Sequence, residues 1–152
     1  MTDLEQLLAR EAIKETKARY CRLLDTKQWD DWGQVFTADV ELDVSDDVKH
    51  IPGALTLVKG RARVVEQTRT IIDPGTCMHQ VHSPEIRFVS ATEAAVIWTM
   101  EDWITFPDEV PAPFRTQHAF GHYHETYRLD EGVWRIARLR LARLHKRITP
   151  RD

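Results

Sequence analysis

Three observations in the sequence predict an α+β fold in a single domain over residues 1–152. Apolar residues recur at helical spacing through much of the first half of the chain. From Cys77 onward the pattern changes to long segments of strand character, and the turn Asp73-Pro74-Gly75 separates the two regimes. Early helices followed by a run of antiparallel strands is an α+β layout. A chain of 152 residues suits one core. A content of 42% hydrophobic and 30% charged residues reads as soluble and globular rather than disordered.

The first helix is predicted over residues 3–26. Thr2-Asp3-Leu4-Glu5 can form a capping box. Ala9, Ile13, Thr16, Tyr20 and Leu23/Leu24 form its buried stripe. A second, short helix is expected from Asp30 to Phe36, with Trp29, Trp32 and Phe36 on one face. Val40-Glu41-Leu42-Asp43-Val44 alternates strictly and reads as a half-buried strand. Residues 45–59 read as a loop broken at Pro52-Gly53. A third helix follows from Arg61 to Ile72, its apolar face made of Val64, Val65, Thr68, Ile71 and Ile72.

Strands are predicted at 77–90, 93–106, 115–129 and 133–146. Asp130-Glu131-Gly132 makes a hairpin turn between the last two, and Pro107–Pro113 is a loop by composition. Long strands twist, so the sheet should curl around the helices. A curled sheet closed by helices encloses a concave, mostly apolar pocket for a small molecule.

A net charge of -3 argues against a nucleic-acid partner. No apolar run approaches the roughly 20 residues of a membrane span, and the start of the chain, Met1-Thr2-Asp3-Leu4-Glu5-Gln6, is unlike a secretory signal. Cys21 and Cys77 lack metal-site or redox spacing and read as free thiols of a reducing cytoplasm.

Asp25 and His79 are the residues most suggestive of chemistry. A carboxylate that orients an imidazole makes a general base near neutral pH. The competing interpretation is a capped helix end and a structurally bonded histidine. His118, His122 and His124 invite a metal-site interpretation. On a strand His122 and His124 share one face, while Tyr123, Glu125 and Tyr127 take the other. His79 and His82 are three apart and face opposite ways, so they are poor co-ligands. Glu101 and Asp102 are adjacent, so only one can face inward, and parity alone leaves open which. Trp98, Met100 and Trp103 are expected in cavity wall or sheet packing. The basic residues Arg135, Arg138, Arg140, Arg143, Lys146 and Arg147 could hold an anionic handle or form a solvated strand with acidic neighbours.

Five segments, in order, carry a family resemblance. They are Arg10-Glu11-Ala12-Ile13 through Tyr20 and Asp25; Trp32 to Val40; His79 to Phe88; Gly121-His122-Tyr123-His124-Glu125-Thr126-Tyr127; and Gly132-Val133-Trp134-Arg135-Ile136. In them the chain resembles the nuclear transport factor 2-like superfamily and its SnoaL-like branch. The resemblance implies a cone: a curved mixed sheet around an N-terminal layer of three helices, commonly dimeric through the outer sheet face. The branch includes bile-acid 7α-dehydratase, scytalone dehydratase and hexachlorocyclohexane dehydrochlorinase, which implies a lyase or isomerase without metal or organic cofactor. Matching Phe88-Val89-Ser90-Ala91 to the dehydrochlorinase places its histidine at His79 and its helix-end aspartate at Asp25. The bile-acid enzyme's tyrosine falls on Tyr20. Tyr123 and Glu125 are implied to face the cavity, and Trp29, Trp32 and Phe36 to line its mouth as substrate-binding residues. The chain departs from the dehydrochlorinase at that enzyme's helix lysine, here Tyr20, and at its pocket arginine, here Leu129. Loss of water from a cyclic hydroxylated or keto compound therefore fits better than dehydrohalogenation. Polyketide cyclisation and a non-catalytic binding or protein-interaction role are the alternatives.

Overall fold

A computed structural model describes residues 1–49, 53–112 and 114–151. The predicted break at Pro52 and the loop end at Pro113 lie outside the described residues. Helix α1 spans Asp3–Asp25. Its capping box is formed as expected: the Thr2 amide donates to Glu5 Oε2 at 2.7 Å and the Glu5 amide to Thr2 Oγ1 at 3.2 Å. The predicted stripe is buried, and it also includes Lys17 and Cys21.

Helix α1 stops in a Schellman motif, with the Gln28 amide on Leu23 O at 2.9 Å and the Lys27 amide on Leu24 O at 3.1 Å. Lys27 takes the left-handed position with φ 58, where glycine is usual. Its side chain offsets that cost: Nζ donates to Asp73 O at 2.7 Å and to Gly75 O. The end of α1 is thereby tied to the turn that leads into the third strand.

Helix α2 is Trp29–Gly33, shorter than predicted, because strand β1 already begins at Phe36 and runs to Asp43. Val35 and Phe36 are both buried, and the register of β1 shifts between Phe36 and Glu41. That irregularity breaks the period of two and makes the start of β1 resemble a helix. The segment predicted as loop contains a single-turn helix α3, Ser45–Val48, and a short strand β2, Leu57–Lys59. Helix α4, Arg61–Ile72, buries Val64 and Ile72 but leaves Ile71 exposed.

Four long strands follow: β3 Thr76–Phe88, β4 Glu93–Thr105, β5 Thr116–Asp130 and β6 Val133–Thr149. The six strands form one curved mixed sheet in the order β2-β1-β6-β5-β4-β3, antiparallel except for the parallel β1–β6 pair. Its concave face packs on α1 and α2, around Ile13, Trp32, Phe36, Met100, Tyr127 and Ile136. β3 and β4 lose register between His82 and Glu85, across Pro84, which has no amide to give to the ladder. Among the described residues no helix is long and apolar enough to cross a membrane.

Candidate functional site

Asp25 is the last residue of α1, and His79 lies on β3. Within β3, Cys77, His79 and Val81 turn toward the helices, while Met78 and Gln80 turn outward. The tie between Lys27 and the 73–75 turn brings the helix end and this inner face together. His79 Nδ1 lies 2.7 Å from Asp25 Oδ1, and the His79 amide donates to Oδ2 at 2.9 Å. An ionised carboxylate can only accept, so the contact calls for a proton on Nδ1; in a neutral imidazole that leaves the lone pair on Nε2. The two side chains are 8% and 12% exposed, so the pair is sheltered but reachable.

Cys77 is buried beside them. Burial pushes its thiol up to about 12, helped by the neighbouring charge of Asp25. The thiol is therefore neutral rather than an ionised nucleophile. The carboxylate of Asp25 thus receives the ring nitrogen and the amide of one residue, with the Cys77 thiol nearby.

Tyr20 lies deeper in the cone. Its ring meets Trp32 at 5.5 Å, Phe36 at 5.9 Å and Tyr123 at 6.1 Å between centroids. Trp29 stacks edge-on against Trp32 and donates from Nε1 to Asp73 Oδ1 at 2.9 Å. Burial first, then the charge of Glu125, holds the Tyr20 hydroxyl well above the ordinary tyrosine range. Burial does the same for Tyr123. Both phenols are therefore neutral donors.

Lys17 is the residue here that the pattern did not reveal. Its ammonium is fully buried, 2.5 Å from Glu125 Oε1 and over the rings of Tyr20 (3.9 Å) and Tyr123 (3.7 Å). Tyr127 donates its hydroxyl to Glu125 Oε2 at 2.7 Å. Glu125 faces inward as expected, but both its oxygens are engaged by partners, so it is no free acid.

A second polar group flanks His79. Asp102 is its cross-strand partner and is buried. Gln117 Nε2 donates to Asp102 Oδ1 at 3.0 Å, and Arg143 donates to Oδ2. Arg143 also donates from Nε to Asp47 Oδ1 of α3 at 2.9 Å. Burial opposes the charge on Arg143, and its bonds to Asp47 and the charge of Asp102 more than compensate, so its pKa is raised. A bulge between Phe120 and Gly121 accompanies the inward turn of this arginine. A Cβ on Gly121 would stand 2.1 Å from Ala142 O, so only glycine fits there.

The inward acid of the Glu101–Asp102 pair is therefore Asp102. Glu101 faces out and binds His118 Nε2 at 2.6 Å and Trp103 Nε1 at 3.2 Å. The signal was present in the sequence: Trp98 and Met100 share the parity of Asp102. His118 stacks on Trp103 at 3.7 Å on the outer face. On the basic strand Arg135 pairs with Asp130 at 3.5 Å, and Arg143 and Lys146 with Asp47, while Leu129 sits half-exposed beside the hairpin turn. Two surface hollows lie away from Asp25 and His79. One of about 390 Å³ is lined by Arg19, Arg22, Asp31 and Arg135, and one of about 360 Å³ by Asp39 and Arg128 among others.

A model of the SnoaL-like domain matches residues 5–140. Several solved structures share the fold. A LinA-type3 hexachlorocyclohexane dehydrochlorinase from Novosphingobium barchaimii LL02 superposes with TM-score 0.80 at 17% identity, covering 97% of this chain and 94% of that one. A candidate scytalone dehydratase from Novosphingobium aromaticivorans gives TM-score 0.76 at 23% identity, covering 99% and 97%. The β subunit of a candidate aromatic-ring-hydroxylating dioxygenase from the same organism gives TM-score 0.69 at 15% identity, covering 91% and 90%. At these identities the likeness establishes the fold alone.

Proposed function

The chain belongs to the SnoaL-like domain family, and we propose that it is a cofactor-independent lyase or isomerase acting on a hydrophobic cyclic compound that carries a hydroxyl or keto group. The observation that carries this reading is the 2.7 Å contact between Asp25 Oδ1 and His79 Nδ1, with both side chains only slightly exposed. Asp25 holds the imidazole in one tautomer, and the Nε2 lone pair takes a proton from the carbon next to the carbonyl. The electron pair of the broken C–H bond moves toward the carbonyl oxygen, which Tyr20 stabilises as a hydrogen-bond donor. In dehydration the imidazolium then returns its proton to the leaving hydroxyl, and water departs. In isomerisation the same proton returns to another carbon. Trp29, Trp32, Phe36 and Tyr123 supply the aromatic wall against which a flat ring would lie.

The test follows the first step alone. Purified protein is incubated in deuterated water with a panel of cyclic hydroxyketones, and exchange next to the carbonyl is read by mass spectrometry. Asp25→Asn and His79→Ala should each lower exchange by about 10²–10⁴-fold, the usual worth of a general base. Near-normal exchange in folded His79→Ala would sink the mechanism.

A non-catalytic binding role is the second reading. It is favoured by the dense packing of Tyr20, Trp32, Phe36 and Tyr123 inside the cone. In either case we propose a homodimer through the outer sheet face, where Trp103 and Phe120 are exposed. Light scattering on the purified chain reads this directly, and a monomer at micromolar concentration would refute it.

A further inference from the structure

We propose that Asp25, Cys77 and His79 form a capture site for zinc, and that zinc bound there disables the pair as a base. The second half rests on the proton-abstraction reading above; the first does not. The ligand atoms of these three residues all lie within 4.8 Å of one another. Zinc bonds of about 2.0–2.3 Å place neighbouring ligand atoms roughly 3–4 Å apart in a tetrahedron, so the donors need to move little. Cys77 and His79 are two residues apart on β3 and face the same side. Asp25 comes from the end of α1, which the Schellman motif and Lys27 hold against the same strand. The donors are thus mounted on regular elements rather than on a free loop.

The donor set selects the ion. A thiolate, an imidazole and a carboxylate suit zinc, whereas magnesium and calcium call for oxygen alone. Three protein ligands leave the fourth tetrahedral position to water. The carboxylate of Asp102, across from His79, is engaged by Gln117 and Arg143 and stays outside the set.

The chemical consequence for His79 is specific. In the metal-free pair Nδ1–H donates to Asp25 and Nε2 holds the lone pair. When Nδ1 binds zinc, the neutral imidazole carries its proton on Nε2 instead. The Sγ–Zn bond forms as the Cys77 proton leaves to solvent, so one proton is released and no electron is transferred. The atom that would accept the substrate proton then no longer has a lone pair, and Asp25 is drawn to the metal.

Calorimetric titration of the full chain with zinc chloride should give one zinc per chain. Cobalt(II) in its place should show the near-ultraviolet thiolate-to-cobalt band and the intense visible bands of a tetrahedral site. Cys77→Ser should weaken zinc by more than the roughly 10–100-fold that loss of a second-shell partner costs. His122→Gln with His124→Gln, on the outer face, should leave zinc affinity unchanged. No thiolate–cobalt band in the wild-type chain overturns the site without recourse to any variant. Zinc affinity that follows His122 and His124 instead also overturns it. In the exchange assay, zinc should abolish wild-type turnover, and a chelator should restore it. Exchange that persists with zinc bound refutes the inhibitory half. Zinc binding with no exchange under any condition refutes the proposed function and leaves the site standing.

Discussion

Replacing Lys17 with methionine probes how far the interior of the cone depends on the buried ion pair between Lys17 and Glu125. Both side chains are fully buried and their charged atoms are 2.5 Å apart. Methionine keeps the length and apolar stem of lysine but leaves the carboxylate of Glu125 without a counter-charge. Breaking a buried pair from one side typically costs about 3–5 kcal/mol. Two local features adjust that figure in opposite directions. The Tyr127 hydroxyl remains on Glu125 Oε2 and retains part of the carboxylate's stabilisation, while the contacts of the ammonium with the Tyr20 and Tyr123 rings are lost, each worth about 0.5–2 kcal/mol. The expected loss is therefore about 3–5 kcal/mol, out of the 5–15 kcal/mol usual for a domain. At about 2–4 °C per kcal/mol for a chain of this length, the midpoint should fall by roughly 6–20 °C. Urea denaturation read by tryptophan fluorescence gives the change in midpoint and slope together. Adding Glu125→Gln to Lys17→Met removes the orphan charge and should recover more than half of the loss. A single variant that loses under about 1 kcal/mol, or a double variant as unstable as the single, would refute the premise that the pair is buried and mutually dependent.

Three further outcomes are expected. Gly121→Ala forces a Cβ to 2.1 Å from Ala142 O, so the β5–β6 bulge must shift; a loss of at least about 1–3 kcal/mol is expected in the same denaturation assay. Cys21 and Cys77 are held up to about 11 and about 12, chiefly by burial. Native protein at pH 8 should therefore resist iodoacetamide, with both thiols reacting once it is unfolded. Their raised values mean that stability is complete below the ordinary thiol value of 9.0 and declines as pH rises from there toward about 12. Burial opposes the charge on Asp47, but Arg143 and Lys146 more than compensate, so its value is lowered. The stability it contributes is present above the ordinary aspartate value of 3.8 and is lost as pH falls through its lower folded value. Asp47→Asn should accordingly flatten the acid limb of a stability-versus-pH curve while altering the limb above pH 9 little.

What could be read in advance divides along physical lines. α1, α4 and the four long strands were legible because their signals are local: a capping box, a helical apolar period, a proline–glycine turn. The start of β1 was not, since its parallel partner β6 lies about a hundred residues away and an irregular register hides the alternation. α3 is a single turn whose Asp47 is held by Arg143 and Lys146 of β6, so little in its own residues announces it. Lys17 falls on a buried stripe, where a lysine reads as the polar exception; its partner Glu125 is 108 positions on. Asp102 was legible in principle, through the shared parity of Trp98 and Met100. Tyr20 was legible as core, and its ring contacts place it there.

The two carboxylates around His79 differ in what neutralises them, and that difference gives the imidazole a single orienting partner. Asp102 lies directly across the strand pair, yet Gln117 takes one of its oxygens and Arg143 the other. Its charge is satisfied by side chains of β5 and β6. Among the described residues Asp25 has no arginine or lysine in ion-pair contact; its donors are the ring and amide of His79. A carboxylate whose charge is met by neutral donors, rather than cancelled by a cation, acts fully on the imidazole it holds. On the proposed mechanism Arg143 would be a positioning residue. Removing it as Arg143→Met would free Asp102 to compete for His79. The expected result is a shift of the exchange-rate pH profile in addition to a lower rate. A lower rate at every pH with an unmoved profile would mean that Arg143 only holds α3 in place.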